Sequence, residues 1–351
     1  MTAAWVIRSG RFGERDQWAL ETGVSGGGWR EVPDLTTCRT REEVAAVVAA
    51  TFAGAPEGRI ANYAGQLWAL RGRIKKGDLL VMPMKTTKKI AIGIVTEEYR
   101  YLAEQPDPDC RHVVGVDWKV ADLPRTAVKQ DLLYTLGSAV SIFQPSKNKA
   151  VQRIQHLLEH GSDPGATATV PGPGPKPGPP VDDAPVDEPE LNTDYEQAAL
   201  DQITSRIQEE YVGHELTRLV AAVLTSEGYA CLVAPPGPDG GIDIAAGRGP
   251  LGLDTPRIVV QVKWGATVGD QVVTQLEGLM NRQRADQALL VAWNGITAPA
   301  ARSMRDLNLR MRLWEASDVV DAVLRNYDRL PDDIRAQLPL RRIWTLSDPQ
   351  A

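Results

Sequence analysis

Three residues in the C-terminal half have the types and spacing that phosphodiester chemistry needs. Asp243 lies in the run Gly240-Gly241-Ile242-Asp243-Ile244, and Gln261 and Lys263 lie in Val259-Val260-Gln261-Val262-Lys263. Short β-branched apolar runs of this kind predict two strands of a hairpin. Residues two apart on a strand share a face. Gln261 and Lys263 therefore point to the side where Asp243 lies, and Val260 and Val262 point into a core. A carboxylate, an amide oxygen and an ammonium then converge on one point. Phosphate esters resist attack because they are already negative; a divalent cation offsets that charge, and a lysine orients or deprotonates the attacking water. Mg²⁺ takes hard oxygen ligands and keeps several waters, so one or two carboxylates plus a substrate phosphate suffice. Mg²⁺ is the expected cofactor, with Mn²⁺ as a substitute.

These residues must be held by elements upstream and downstream. The segment from Gly213 to Leu224 has apolar residues at helical spacing with Glu215 near its start, which makes Glu215 the candidate second carboxylate and metal ligand. The stretch from Glu215 to Trp293 resembles the catalytic domain of Mrr-type restriction endonucleases, of the PD-(D/E)xK superfamily. The resemblance rests on the Glu-bearing helix ending in Glu227-Gly228-Tyr229, on Gly240-Gly241-Ile242-Asp243-Ile244, on Gln261-Val262-Lys263, on Gln275-Leu276-Glu277-Gly278 and on the strand Ala288-Leu289-Leu290-Val291-Ala292. It implies Asp243 as the metal carboxylate, Gln261 in place of the superfamily's usual acidic ligand, Lys263 as the catalytic lysine, Glu215 as the helix carboxylate and Asp239 in a supporting turn.

Composition excludes several other classes. The chain has 351 residues and 43% hydrophobic content, enough for two or three packed domains. Its opening has no apolar core of the signal-peptide type, and no stretch nears the roughly 20 apolar residues that span a bilayer. Cys38, Cys110 and Cys231 are scattered and odd in number, which speaks against a disulfide framework and a zinc site. The expected location is the reducing cytoplasm, with no membrane partner. The four histidines, His112, His156, His160 and His214, do not cluster, and no G-x-x-x-x-G-K-[ST] loop is present.

The clearest boundary is the Pro/Gly-rich segment 161–192, which contains Pro171-Gly172-Pro173-Gly174-Pro175 and reads as a disordered, extended linker. The expected domains are 1–160, a recognition module, and 193–351, the nuclease. Formal charges are +4 for residues 1–160, −5 for 161–192 and −5 for 193–351, so the front half is the basic one and the expected first contact with nucleic acid.

The front half reads as β-rich, with strands at Ala4 to Ser9, Asp78 to Met84, Ile90 to Tyr101 and His112 to Lys119, and a helix from Arg41 to Phe52. Trp5-Val6-Ile7-Arg8, Gly28-Trp29, Lys76-Gly77-Asp78, Gly93-Ile94-Val95 and Val116-Asp117-Trp118 resemble PUA-like barrels, the superfamily that includes EVE and ASCH domains. That resemblance implies a reader of modified bases. Such a reader sandwiches a flipped base between aromatic rings. Trp29, Asp34 and Trp68 are the candidate base contacts. Arg71, Arg73, Lys75, Lys76, Lys85, Lys88 and Lys89 are the candidate phosphate contacts.

The expected fold is therefore a PUA-like barrel followed by an α/β restriction-endonuclease-like domain with a mixed sheet. The expected function is Mg²⁺-dependent cleavage of double-stranded DNA that carries a modified base, by a homodimer or a higher even oligomer. Two other readings stand beside it: a defence nuclease whose front half senses a small molecule or protein, and a non-catalytic DNA-binding protein.

Overall fold

The structure is a computed structural model that describes residues 2–138, 140–166, 194–235 and 241–344. The chain divides into two units, with the division after Ala198. The linker beyond Ala166 and the turn residue Asp239 lie outside the described residues.

The first unit runs β1 (Ala4–Ile7), α1 (Asp16–Thr22), β2 (Val24–Gly26), α2 (Arg41–Thr51), α3 (Glu57–Trp68), β3 (Leu79–Pro83), β4 (Lys89–Tyr101), β5 (His112–Pro124), α4 (Gln130–Leu136), β6 (Ile142–Phe143) and α5 (Ala150–His160). Its strands form one sheet in the order β2-β5-β4-β3-β1-β6. β1 and β3 are parallel, and the other pairs are antiparallel. Strand alternation explains the two cores. Val6, Val81 and Ile92 face α4 and α5, whereas Trp5, Ile7, Leu80 and Val95 pack with Leu70 and Ile74 on the other side. β2 and β6 end the order without pairing to each other, so this is a half-barrel sheet and the closed PUA-like barrel expected from the sequence is not shown. Physically, β2 has three residues and β6 two, too few ladder bonds to close a ring.

The first unit is locked at its end by a buried guanidinium. Arg153 on α5 is fully buried, and its Nε and Nη2 donate to the two oxygens of Asp163 at 2.8 and 2.6 Å. Its Nη1 and Nη2 also donate to Asp131 on α4 at 2.7 and 2.8 Å. Burial alone would raise Asp163, but the Arg153 bonds and the backbone N–H groups of Gly165 and Lys129 hold its carboxyl below the ordinary range. The hydrogen bonds from Arg153 likewise lower Asp131.

α6 (Tyr195–Glu210) spans the division. The second unit continues with α7 (His214–Ser226), β7 (Ala230–Val233), β8 (Ile244–Arg248), β9 (Asp254–Lys263), α8 (Asp270–Arg282), β10 (Gln287–Ala292), α9 (Ala298–Asp306), β11 (Met311–Trp314), α10 (Ala316–Asn326) and α11 (Asp332–Gln337). The sheet order is β11-β10-β9-β8-β7, parallel from β9 to β11 and antiparallel from β7 to β9. This is the mixed α/β sheet with flanking helices that the element order predicts. α7 and α10 cover one face, against Ile244, Val260, Leu289 and Val291. α8 and α9 cover the other, against Val259, Leu290 and Ala292.

Arg153→Met should cost about 3 kcal/mol, because two carboxylates lose their only buried cation. Both carboxyls are depressed in the folded state, so their contribution is full above pH ~4 and is lost as pH falls below it. Denaturant melts across pH should show a shallower acid-side loss in the variant than in the wild type.

Candidate active site

β8 and β9 set the geometry of the site. Ile244 pairs with Val260, and Asp243 N–H donates to the Val260 carbonyl at 2.9 Å. Asp243 directly precedes β8 and so stands at the end of the hairpin where β9 carries Gln261. Lys263 follows two residues on, at the C-terminal end of β9. The Asp243 carboxylate is not loose. Its Oδ2 accepts the Val262 N–H at 2.6 Å, across the hairpin.

Both faces of the sheet carry helices, so Gln261 is buried, at 1% exposure. Its Oε1 is fully buried and has no hydrogen-bond partner among the described residues. A buried amide oxygen without a partner costs free energy, and such an atom in a native structure marks a place where a ligand, water or ion belongs. Gly241 lies beside it with φ +91°, and a Cβ there would stand 3.4 Å from Gln261 Nε2, 3.3 Å from Gln275 Nε2 and 3.1 Å from Leu279 Cδ1. Only glycine takes that conformation without strain, and here it brings backbone against the two amides. Gln275, on α8, joins the site only through the fold. Its sequence signals are its place in Gln275-Leu276-Glu277-Gly278 and the spacing of four that puts Gln275 and Leu279 on one helix face.

Asp243 and Gln261 offer hard oxygen donors, and the partnerless Oε1 of Gln261 points to an electropositive ligand beside Asp243. That donor set fits Mg²⁺. Among the described residues no three His, Cys, Asp or Glu side chains group to hold a metal.

Glu215 stands elsewhere. α7 brings its first turn to the same end of the sheet, where Glu215 and Val233 line one cavity of about 220 Å³ with Tyr211, Arg218 and Asp333. α7, however, packs on the face opposite to the one bearing Gln261. The Glu215 carboxylate accepts from Arg218 at 2.8 Å, one helical turn on, and Arg218 also reaches Asp333 at 3.5 Å. Glu215 thus holds a local i,i+3 ion pair. Trp264 and Trp293 stack at 5.5 Å and pack with the α7 and α10 core.

In the first unit, Trp29 is half-buried at φ +52° after three glycines of positive φ, with its ring edge-on to Tyr63 at 6.4 Å. Asp34 Oδ1 accepts from the backbone and hydroxyl of Thr36 at 2.8 and 2.5 Å. Trp68 packs into the α2–α3 core and fills the space a Cβ on Gly72 would need. The basic stretch is largely engaged by its own chain. Arg71 donates to the carbonyls of Leu35 and Thr36, both at 2.9 Å, and Arg73 to Gln144 at 3.0 Å. Lys75 pairs with Glu98 at 2.9 Å, and Lys85 with Asp194 at 2.7 Å. Lys88 and Lys89 have interactions of their own, and Lys76 is exposed on its turn.

Residues 209–323, which contain Asp243, Gln261 and Lys263, match the family model Mrr_cat, restriction endonuclease. The second unit carries a restriction endonuclease domain. Residues 5–135 match a domain of unknown function, DUF8426. No curated protein matches the chain. Three solved structures are similar at low identity. MspJI restriction endonuclease in complex with a 27-mer oligonucleotide is 12% identical over 82% of this chain and 70% of its own, with a TM-score of 0.30. The DNA modification-dependent restriction endonuclease AspBHI is 16% identical over 96% and 84%, with a TM-score of 0.31. The protein of unknown function AF1548 is 14% identical over 35% and 77%, with a TM-score of 0.27.

Gln261→Leu replaces a buried amide, whose Oε1 has no partner among the described residues, with an apolar side chain of similar volume. Its Tm should equal or exceed that of the wild type. Glu215→Gln removes only an exposed ion pair, so chemical denaturation should show a loss below about 1 kcal/mol.

Proposed function

We propose that this chain is a modification-dependent restriction endonuclease that hydrolyses DNA phosphodiester bonds with Mg²⁺. The observation that carries the proposal is the buried Gln261 Oε1, without a hydrogen-bond partner among the described residues, between Val260 and Val262, the two residues that Asp243 bonds, within a restriction endonuclease domain. Asp243 and Gln261 are the residues that would hold Mg²⁺, which when bound offsets phosphate charge and acidifies a water. Asp243 is presented rigidly, because the Val262 N–H fixes one of its oxygens. Lys263 has no hydrogen-bond or ion-pair acceptor among the described residues, so its ammonium can orient the water or balance charge on the phosphate. Glu215, paired with Arg218, acts as a neighbouring carboxylate and not as a first ligand.

The first unit is the module that would read the modified base. What supports this reading is a half-buried tryptophan at the end of a glycine run of positive φ, which offers one ring face for stacking at a small ordering cost. One such site cuts one strand, so duplex cleavage would take a homodimer or a higher even oligomer.

Lys263→Ala should lower the cleavage rate roughly 10²–10⁴-fold and leave duplex binding in Ca²⁺ intact; full activity would overturn the assignment. Gln261→Leu should be inactive although stable, and Glu215→Gln should stay within about tenfold of the wild type. Plasmids with defined base modifications, incubated with Mg²⁺ or EDTA, test trigger and metal together. Equal cutting of unmodified plasmid would remove the modification dependence, and cutting in EDTA would remove the metal.

A further inference from the structure

The arginines of the second unit are unevenly placed. Residues 281–312 hold six arginines and two aspartates, with neither lysine nor glutamate. That is a local charge of +4 within a segment, 193–351, whose total is −5. The fold gathers these arginines at one end of the sheet. β9, β10 and β11 run parallel, so the turn from α8 into β10 and the turn from α9 into β11 lie at the same end. Ala288 N–H donates to the Arg310 carbonyl at 2.9 Å, and Arg310 Nη2 donates to Asn281 Oδ1 at 3.3 Å, which joins the two turns. Arg282 closes α8, and Arg284 lies just beyond it. Arg302 and Arg305 stand about one turn apart on α9.

Four of these cations have no carboxylate of their own. Arg282, Arg284, Arg302 and Arg305 are exposed, and their side chains make no hydrogen bond or ion pair among the described residues. Of the two aspartates in the segment, Asp286 accepts the Arg257 N–H at 2.7 Å and its Nε at 3.5 Å. Asp306 alone is left within the segment to balance four guanidinium groups. Arg282 and Arg305 have a local reason to be there, since cations in the last turn of a helix oppose its dipole. Arg284 and Arg302 have none. Arg284 sits at φ +52°, the left-handed position after a helix where glycine is the usual residue, so a long cation stands there at a conformational cost. Arginine, forked and weakly hydrated, suits phosphate oxygens in a way the compact lysine ammonium does not.

We propose that this end of the nuclease unit is a docking surface for the phosphate backbone of double-stranded DNA, independent of sequence and separate from the site of cutting. Lys263 ends β9, and the arginine turns stand at the other end of the same strand. From Ile258, which pairs with Gln287, to Lys263 the strand rises about 17 Å. The surface therefore takes a stretch of backbone other than the one beside Asp243 and Lys263, and contributes salt-dependent affinity. The choice of DNA as the polyanion rests on the reading of this unit as a DNA-cutting nuclease; the unpaired cations do not.

The test uses the full chain with Ca²⁺ in place of Mg²⁺ and follows fluorescence anisotropy of an unmodified duplex across salt concentration. Arg284→Gly combined with Arg302→Gln should weaken binding roughly five- to twentyfold at low salt and lower the salt slope by about two. Glycine relieves the left-handed backbone and glutamine is a good helix former, so the Tm of this variant should not fall. Lysine at both positions keeps the charge and should keep the slope. As a control, Arg206→Gln with Arg342→Gln removes the same net charge from cations already paired with Glu210 and Asp328, and should leave the slope in place. An unmoved slope in the first variant would overturn the proposal, as would an equal drop in the control, which would mean net charge alone. A change in sedimentation of the free protein with unchanged duplex affinity would also overturn it, in favour of an acidic protein surface. Lys263→Ala in Mg²⁺ reads the nuclease assignment separately. An unmoved slope beside an inactive Lys263→Ala removes the surface alone, and full cutting by Lys263→Ala removes the catalytic assignment alone.

Discussion

The register of β8 on β9 is the constraint on which the candidate site depends. Ile244 opposite Val260 brings Asp243, the residue before β8, to the Gln261 end of β9, and a slip of one residue would send every side chain of the strand to the other face. Two bonds hold that register at its end: Asp243 N–H to the Val260 carbonyl, and Val262 N–H to the Asp243 carboxylate. The second makes the Asp243 side chain part of the ladder. Asp243 is thereby oriented before any ligand arrives, and electrostatic preorganisation of this kind avoids reorganisation cost during reaction.

Burial on both faces gives the site its second property. α7 and α10 cover one side of the sheet, and α8 and α9 the other. Gln261 is thus enclosed, and its Oε1 lacks a partner among the described residues. A charge near that oxygen is felt in low dielectric, where attraction is stronger than in water. The same enclosure makes the amide a liability for folding alone. On the proposed reading of the site, stability and function pull apart at this residue.

The first unit shows the reverse arrangement, with charges already satisfied. Arg153 binds two carboxylates in the core, Arg71 ties down the chain at Leu35 and Thr36, and Lys85 closes on Asp194. A basic stretch in sequence thus contributes to holding its own fold. Net charge over a segment measures the far field; it says nothing about which cations already have partners.

Local pattern was sufficient for much of this protein. The alternating and periodic runs predict β1, β3, β4, β5, α2, α7, β9 and β10 close to where they stand, because each buries its apolar face against whatever packs on it. The spacing of Gln261 and Lys263 and the glycines before Asp243 are equally local, so the triplet was legible in the chain. Contacts between residues far apart were not. The sequence carries no sign that β2 and β6 would be too short to close a barrel, or that Gln275 would come to Gly241. Nor does it show that Glu215 would turn to Arg218, or that Asp194 would cross 186 residues to Arg8. Each of these is decided by which groups meet in space and by which partner satisfies a charge or a buried amide first, and only the tertiary structure sets that.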